Sequence, residues 1–166
     1  MNYELVEDQI TNHLIEDAEL TTLADVKPLP EAVDDYGTPT IKGLVTVAFM
    51  GEKFQKNQSL GQSSQHSNVS FVISVQSRKL RGEKGVYVIS ELIKNRLIGF
   101  APSDCGILTI DSHEFANYQN DVWEHNLIFT ASSLRTKIDY DPIPADIIIE
   151  EEVYFKNQTT DENIHV

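Results

Sequence analysis

The chain has 166 residues, and its 26 acidic and 13 basic side chains give a formal net charge of −13. This length suits one domain with its own core. The sequence contains no run of about 18 apolar residues, so no membrane-spanning helix is predicted. The negative charge argues against binding to nucleic-acid phosphates, and a single cysteine, Cys105, excludes an internal disulfide. The acidic N-terminus lacks the apolar core of a secretion signal, so we expect none.

The acidic side chains are concentrated at the two ends of the sequence. Residues 1–36 contain ten acids and one lysine, and residues 134–166 contain eight acids and three bases. The middle of the chain is nearly neutral. Two interpretations are open: the acidic ends keep the protein soluble, or they contribute to assembly through electrostatic contacts.

The first predicted elements are a helix and a short strand. Apolar residues recur every four positions at Val6, Ile10, Leu14 and Ala18, which predicts an amphipathic helix over residues 3–18. The segment that follows, residues 22–29, is a predicted strand that two prolines bring to an end.

Two longer strands are predicted next. Residues 41–50 carry apolar side chains on both faces, which is typical of a central strand covered on each side, and residues 69–76 alternate cleanly. The stretch between them, residues 52–67, is rich in Gln, Ser and Asn. Its composition predicts a mobile loop and a candidate contact arm.

A basic loop and a helix follow the alternating strand. The loop concentrates four cations in an otherwise acidic protein: Arg78, Lys79, Arg81 and Lys84. Helix 86–98 comes next, and Gly99 is placed to end it in the left-handed conformation. A basic loop held between a core strand and a core helix indicates a docking surface, so these cations are a candidate assembly interface. The alternative for Arg78 is an internal ion pair with Asp104 or Glu91.

The last elements are a hairpin and an isolated strand. Residues 107–115 and 122–132 predict an antiparallel hairpin. Residues 147–155 read as one more strand without a hairpin partner, which pairs either with a neighbouring subunit or with the edge of its own sheet. Ile147 and Ile149 therefore complete the candidate assembly interface. The last ten residues are expected to be disordered.

Catalytic and metal-binding patterns are missing. His113 and His125 face each other if the hairpin loop has three residues, but a metal site needs more ligands than two. Cys105 lies in a turn without a neighbouring base, and the glycines of the basic loop lack the spacing of a phosphate-binding loop. We therefore predict no catalytic, cofactor-binding or metal-binding residue, and a protein that is not an enzyme.

The order of four landmarks resembles the tail-completion (tail-terminator) proteins of Mu-like phages. The landmarks are a proline, apolar strand and closing glycine, then an arginine-containing loop, a helix ending before a proline, and a final strand: Thr38–Gly51, Ser77–Gly82, Leu92–Pro102 and Val122–Phe129. The N-terminal helix also fits, so the resemblance covers about residues 1–133.

The resemblance and the elements together predict an α+β fold. A mixed, mainly antiparallel sheet of about four to six strands would pack with two helices in a tail-terminator-like domain over residues 1–133. Residues 134–166 would form an extended C-terminal arm with the possible extra strand and the disordered end.

The resemblance also implies a function in a phage or prophage virion. The subunit would close into a homohexameric ring that caps the tail tube, ends tube polymerisation and prepares the tail for joining to the head. Its partners would be further copies, the tube protein and the head–tail connector or neck protein, in the host cytoplasm during assembly and then in the virion. DNA would pass through the ring without specific binding, and neither a membrane nor a cofactor is implied.

Two other functions are open. A neck or adaptor protein could join head and tail without controlling length. A small hydrolase or nucleotide-binding enzyme would need converging catalytic side chains, which the sequence does not reveal.

Overall fold

The computed structural model describes residues 1–31, 39, 41–56 and 64–136. Within this part of the chain, Met1–Thr136 belongs to one compact unit. The predictions for the C-terminal arm beyond Thr136, including the extra strand with Ile147 and Ile149, lie outside the described residues. So does the centre of the predicted contact arm, residues 57–63.

The described residues form three helices and five strands. In chain order they are α1 Tyr3–Ile15, α2 Ala18–Leu23, β1 Ala24–Pro28, β2 Gly43–Phe54, β3 Ser64–Ser77, α3 Val86–Leu97, β4 Thr109–Gln119 and β5 Val122–Thr136. The strand order in the sheet is β1-β2-β3-β5-β4. β1 pairs with β2 in parallel, and the other neighbours are antiparallel. This confirms the predicted α+β class, with one short helix, α2, more than predicted.

The core lies between the three helices and one face of the sheet. Alternating side chains of β2, β3 and β5 point to this face, and the largest, Phe71 and Phe129, are completely buried. The helices contribute Ile10 of α1, Leu20 of α2 and Ile93 of α3 to the same cluster. Full burial of side chains of this size contributes roughly 1.5–3 kcal/mol each. Among the described residues, no helix is long and apolar enough to cross a bilayer.

The predicted helix over residues 3–18 is divided in two, which corrects its end. The carboxylate of Asp17 accepts hydrogen bonds from the backbone N–H of Glu19 at 3.0 Å and of Leu20 at 3.1 Å. It therefore caps α2 and turns the chain after α1. Ala18, predicted on the buried face, is exposed, and Leu20 is buried instead.

The predicted contact arm is wrong at its two ends, which belong to strands. Lys53 pairs with Asn68 and Phe54 pairs with Ser67 in the β2–β3 ladder. Backbone pairing does not require apolar side chains, so composition alone indicated a loop. β3 also pairs with β5 as far as Ser64 opposite Thr136, and β5 therefore continues beyond residue 133.

The hairpin of β4 and β5 is tighter than expected. Asn120 and Asp121, both at positive φ (53° and 59°), form the two-residue turn between the strands. Two bulges interrupt the register of β4, and this strand is the last one on its side of the sheet formed by the described residues. Gly99 follows α3 at φ 87°, as predicted from its position.

Candidate assembly surface

The basic loop has a fixed backbone. The Ser77 hydroxyl donates to the carbonyl of Lys84 at 2.8 Å and accepts from the N–H of Lys79 at 3.2 Å. The N–H of Val86 donates to the carbonyl of Lys79 at 2.9 Å, which ties the loop to the first turn of α3. These bonds close the loop between β3 and α3 while its long side chains extend outward.

The cations of the loop lie on the surface beside a groove. Arg78, Lys79 and Arg81 are exposed, and Lys84 is half-buried. The groove, with a volume of about 240 Å³, is lined by Ile41, Lys42, Ser77, Arg78, Lys79 and Lys84. Arg78 Nε donates to the carbonyl of Pro39 at 3.1 Å, and Glu91 pairs with Lys94. Among the described residues Arg78 has no carboxylate within 4 Å, so the geometry favours a surface residue over the alternative pair with Asp104 or Glu91.

The shape of the loop depends on Gly85, and this gives a testable prediction. A Cβ at Gly85 would lie 2.6 Å from the carbonyl carbon of Arg81, whereas a Cβ at Gly51 would meet nothing within 4 Å. We expect Gly85→Ala to lower the free energy of unfolding by about 2 kcal/mol, because loop backbone must shift. Gly51→Ala serves as the matched control. Urea denaturation of both variants measures the difference, and equal midpoints would contradict the account of the loop.

An exposed aromatic patch, which the sequence pattern did not predict, lies beside the basic loop. We define it as Tyr87, Phe115, Tyr118 and Trp123. The first three are 42%, 58% and 48% exposed, and Trp123 packs against Tyr118 with ring centroids 4.4 Å apart. Trp123 pairs with Ser77, where the basic loop begins. Aromatic residues and arginine are enriched at protein interfaces, so the patch extends the candidate assembly surface.

His113 and His125 meet beneath the aromatic patch, although the three-residue loop on which the expected contact depended is absent from the hairpin. His113 Nε2 and His125 Nδ1 lie 3.0 Å apart, so one ring donates and the other accepts a hydrogen bond. The contact arises from a two-residue turn plus a bulge after Phe115 rather than from a three-residue loop. Across the described residues, no group of three His, Cys, Asp or Glu side chains is arranged to hold a metal.

The histidine pair predicts a pH dependence of stability. Burial lowers the pKa of both His113 and His125 from 6.5, with Lys94 and His125 as further causes at His113. The folded state therefore disfavours protonation, and stability is lost as the pH falls below 6.5. We expect the urea midpoint of His113→Asn to fall less than that of the wild type when the pH is lowered from 7.5 to 5. The control is His66→Gln in an exposed strand position, and an unchanged pH dependence in the His113 variant would refute the explanation.

A second polar cluster lies at the other end of the sheet. Arg135 contacts both carboxylate oxygens of Glu52, at 2.6 and 3.0 Å, and Tyr3 donates its hydroxyl proton to the same carboxylate. Ser67 also donates to Glu52. The hydrogen bond from Arg135 is the main cause that lowers the pKa of Glu52 to about 2. The cluster joins the start of α1 to the ends of β2 and β5.

Cys105 has the properties of an unreactive thiol. Burial, reinforced by the negative charge of Asp104, raises the pKa of the Cys105 thiol to about 11. The group is therefore protonated near neutral pH, whereas a cysteine nucleophile acts as the thiolate.

The described residues form an α+β domain in which helices cover one face of a mainly antiparallel five-stranded sheet. The sequence matches the profile of the Gp37 protein family over residues 18–145, so the chain belongs to the Gp37 family. A chain from the virion of a native gene transfer agent (GTA) particle has a similar fold, with a TM-score of 0.51 and 18% identity. The match covers 80% of this chain and 96% of that chain. No curated protein matches the chain.

Proposed function

We propose that this protein is a structural component of a phage-like virion. In this proposal, copies close into a homohexameric ring that caps the tail tube, ends its polymerisation and prepares the tail for joining to the head. The tube protein and a head–tail connector or neck protein are its partners. Assembly takes place in the host cytoplasm, and the protein acts there without catalysis, metal or cofactor.

The single observation that carries the proposal is the fold shared with a virion chain, of which 96% is covered. The resemblance of the four landmarks to tail-terminator proteins of Mu-like phages supports the finer assignment. A subunit that terminates a polymer must bind the end of the tube on one side and prevent further addition on the other. A head-to-tail contact between identical subunits closes a ring if the rotation between them closes.

The surface chemistry agrees with a protein-docking subunit. The basic loop and the aromatic patch lie side by side at one end of the sheet, and this combination is typical of interface centres. The thiol of Cys105 is protonated, and the two histidines hydrogen-bond to each other. These features fit a binding function better than nucleophilic or metal-assisted catalysis.

A neck or adaptor protein without length control is the second candidate, because the same subunit fold could join head and tail. The two functions differ in what happens when the protein is missing. Particles produced without a terminator contain overlong tails, whereas particles produced without an adaptor contain tails of normal length and separate heads.

The test is to delete the gene in a particle-producing strain and to measure tail lengths by negative-stain electron microscopy. We expect overlong tails, which expression of the intact chain from a plasmid returns to normal length. The purified protein should also show rings with a central hole. Tails of normal length without heads would favour the adaptor, and normal infectious particles would exclude both functions.

A further inference from the structure

The basic groove has the chemistry of a carboxylate-binding site. Three cations of the basic loop line it together with Lys42, whose ammonium donates one hydrogen bond to the carbonyl of Thr21 at 2.8 Å. Within the described residues, none of these cations has a carboxylate within 4 Å. Clustered cations are stabilised by a bound anion. Apart from the bonds that Lys42 donates to Thr21 and Arg78 donates to Pro39, no hydrogen bond or ion pair to a described residue occupies these charged groups.

The groove also offers an apolar contact. Ile41 forms part of its lining and is 82% exposed, the largest exposure among the large apolar side chains of the described residues. An occupant that fits both features would carry an isoleucine- or valine-rich segment next to several carboxylates.

The C-terminal segment of the chain has this composition. Residues 137–166 contain eight acids and two lysines, and the densest acidic run, Glu150–Glu152, directly follows three isoleucines, Ile147–Ile149. An apolar run beside an acidic run matches an exposed isoleucine beside a cluster of cations.

The length of the chain favours the groove of a neighbouring copy. The described part of β5 ends at Thr136, opposite Ser64, whereas the basic loop begins opposite Trp123. At about 3.3 Å per residue these two positions on β5 are separated by roughly 43 Å. Glu150 follows Thr136 by 14 residues, which span at most about 50 Å when fully extended. Only an almost completely extended segment would reach the groove of its own subunit, and a neighbouring subunit removes that restriction.

We propose that the acidic run Glu150–Glu152 of one copy binds in the basic groove of the next copy. The inference deepens the proposed function, since it rests on the association of copies into a ring and names the contact that links them. Carboxylates of the run would pair with Lys79, Lys84 and Arg78, and the preceding isoleucines would contact Ile41.

The test is carbodiimide crosslinking of the full-length protein, as concentrated samples and in assembled particles. Carbodiimide joins a carboxylate to an amine as an amide with loss of water and adds no spacer, so only groups in contact react. Equal amounts of ¹⁴N- and ¹⁵N-labelled protein are mixed before coupling. We expect peptides that link Glu150–Glu152 to Lys79 or Lys84, with mixed-isotope pairs at their statistical share. Links confined to one isotope, or the absence of this link from both samples, would overturn the inference.

Reversing the charges of the groove and of the acidic run provides a second test. Lys79→Glu with Lys84→Glu reverses the groove, and Glu150→Lys, Glu151→Lys and Glu152→Lys reverse the run. Each reversed protein alone should associate at least about 10-fold more weakly by light scattering, because like charges then face each other. Mixing the two proteins should restore association, which binding within one subunit does not predict. Thermal melts check that both proteins are folded.

Two controls separate the contact from general charge effects. Lys79→Arg with Lys84→Arg keeps the charge and removes these two amines, so it should associate normally without the crosslinks at positions 79 and 84, while Lys42 keeps its amine in the groove. Asp161→Lys with Glu162→Lys should leave association unchanged, and an equal loss would overturn the role of Glu150–Glu152. If the run-reversed protein forms rings at the wild-type affinity, this inference fails and the proposed function stands. A DNA oligonucleotide that binds the groove while reversal of the groove leaves rings intact would also overturn it.

Discussion

Replacing Arg78 and Arg81 with glutamate is expected to leave the subunit folded and to abolish assembly. Both side chains are exposed, and the bonds that close the basic loop come from its backbone and from Ser77. The substitution removes one hydrogen bond, from Arg78 Nε to the carbonyl of Pro39. Like charges brought together at an interface cost several kcal/mol, which lowers association about 100-fold or more. In particles, tails should be overlong or headless. Circular dichroism and negative-stain microscopy measure the two expected results.

Lys53→Glu with Lys56→Glu is the matched control for this reversal. It makes the same change in net charge at two exposed positions, one on β2 and one two residues after its end, away from the basic loop. We expect this variant to assemble. Normal tails and normal infectivity from the Arg78 and Arg81 reversal would remove the basic loop from the mechanism, and an unfolded variant would identify Arg78 as a structural residue.

Glu52→Gln is expected to lower the free energy of unfolding more than most single substitutions of a charged residue. The Glu52 side chain is only 4% exposed and is bound by Arg135, Tyr3 and Ser67. Removing one member of a buried ion pair costs roughly 3–5 kcal/mol, and we expect about 2 kcal/mol for this pair because Arg135 is partly exposed to water. Glu91→Gln, in an exposed pair with Lys94, should not change stability measurably. Urea denaturation at pH 7 compares the two variants, and equal midpoints would show that the cluster does not stabilise the fold.

The same cluster predicts the acid response. The folded-state pKa of Glu52 is about 2, below its ordinary value of 4.5. Its contribution is therefore complete above pH 4.5 and is lost as the pH falls toward 2. The difference in free energy of unfolding between the wild type and Glu52→Gln should shrink over this window. A difference that stays constant from pH 5 to pH 2 would show that the ionisation of Glu52 is not its source.

Elements with a strong apolar period were predictable from sequence. The stripe of α3 and the alternation of β3 follow directly from which side chains must leave water, and the left-handed Gly99 follows from the need to end a helix. The break between α1 and α2 was not predictable in the same way. Asp17 is as compatible with an exposed helix position as with a cap, and only the packing of Leu20 against the core decides between them.

Of the two parts of the candidate assembly surface, the basic loop was predictable from sequence and the aromatic patch was not. Clustered cations in an acidic protein are visible in the sequence, so the basic loop was found. The aromatic patch was not found, because Phe115 and Tyr118 are three residues apart and would lie on opposite faces of a regular strand. The bulge after Phe115 brings both to one face. Glu52 and Arg135 were missed because a contact across 83 positions leaves no local pattern.

The position of β5 in the sheet gives its hydrogen bonds a particular geometry toward a pulling force. β5 is the last described strand, and it lies between two antiparallel neighbours, β3 and β4. A pulling force along the axis of β5 would load the hydrogen bonds of both ladders in shear. Bonds loaded in shear share the force and must break together, whereas bonds at a peeled edge break one at a time. Of the two described strands with antiparallel neighbours on both sides, β3 and β5, it is β5 that precedes the C-terminal segment in the sequence.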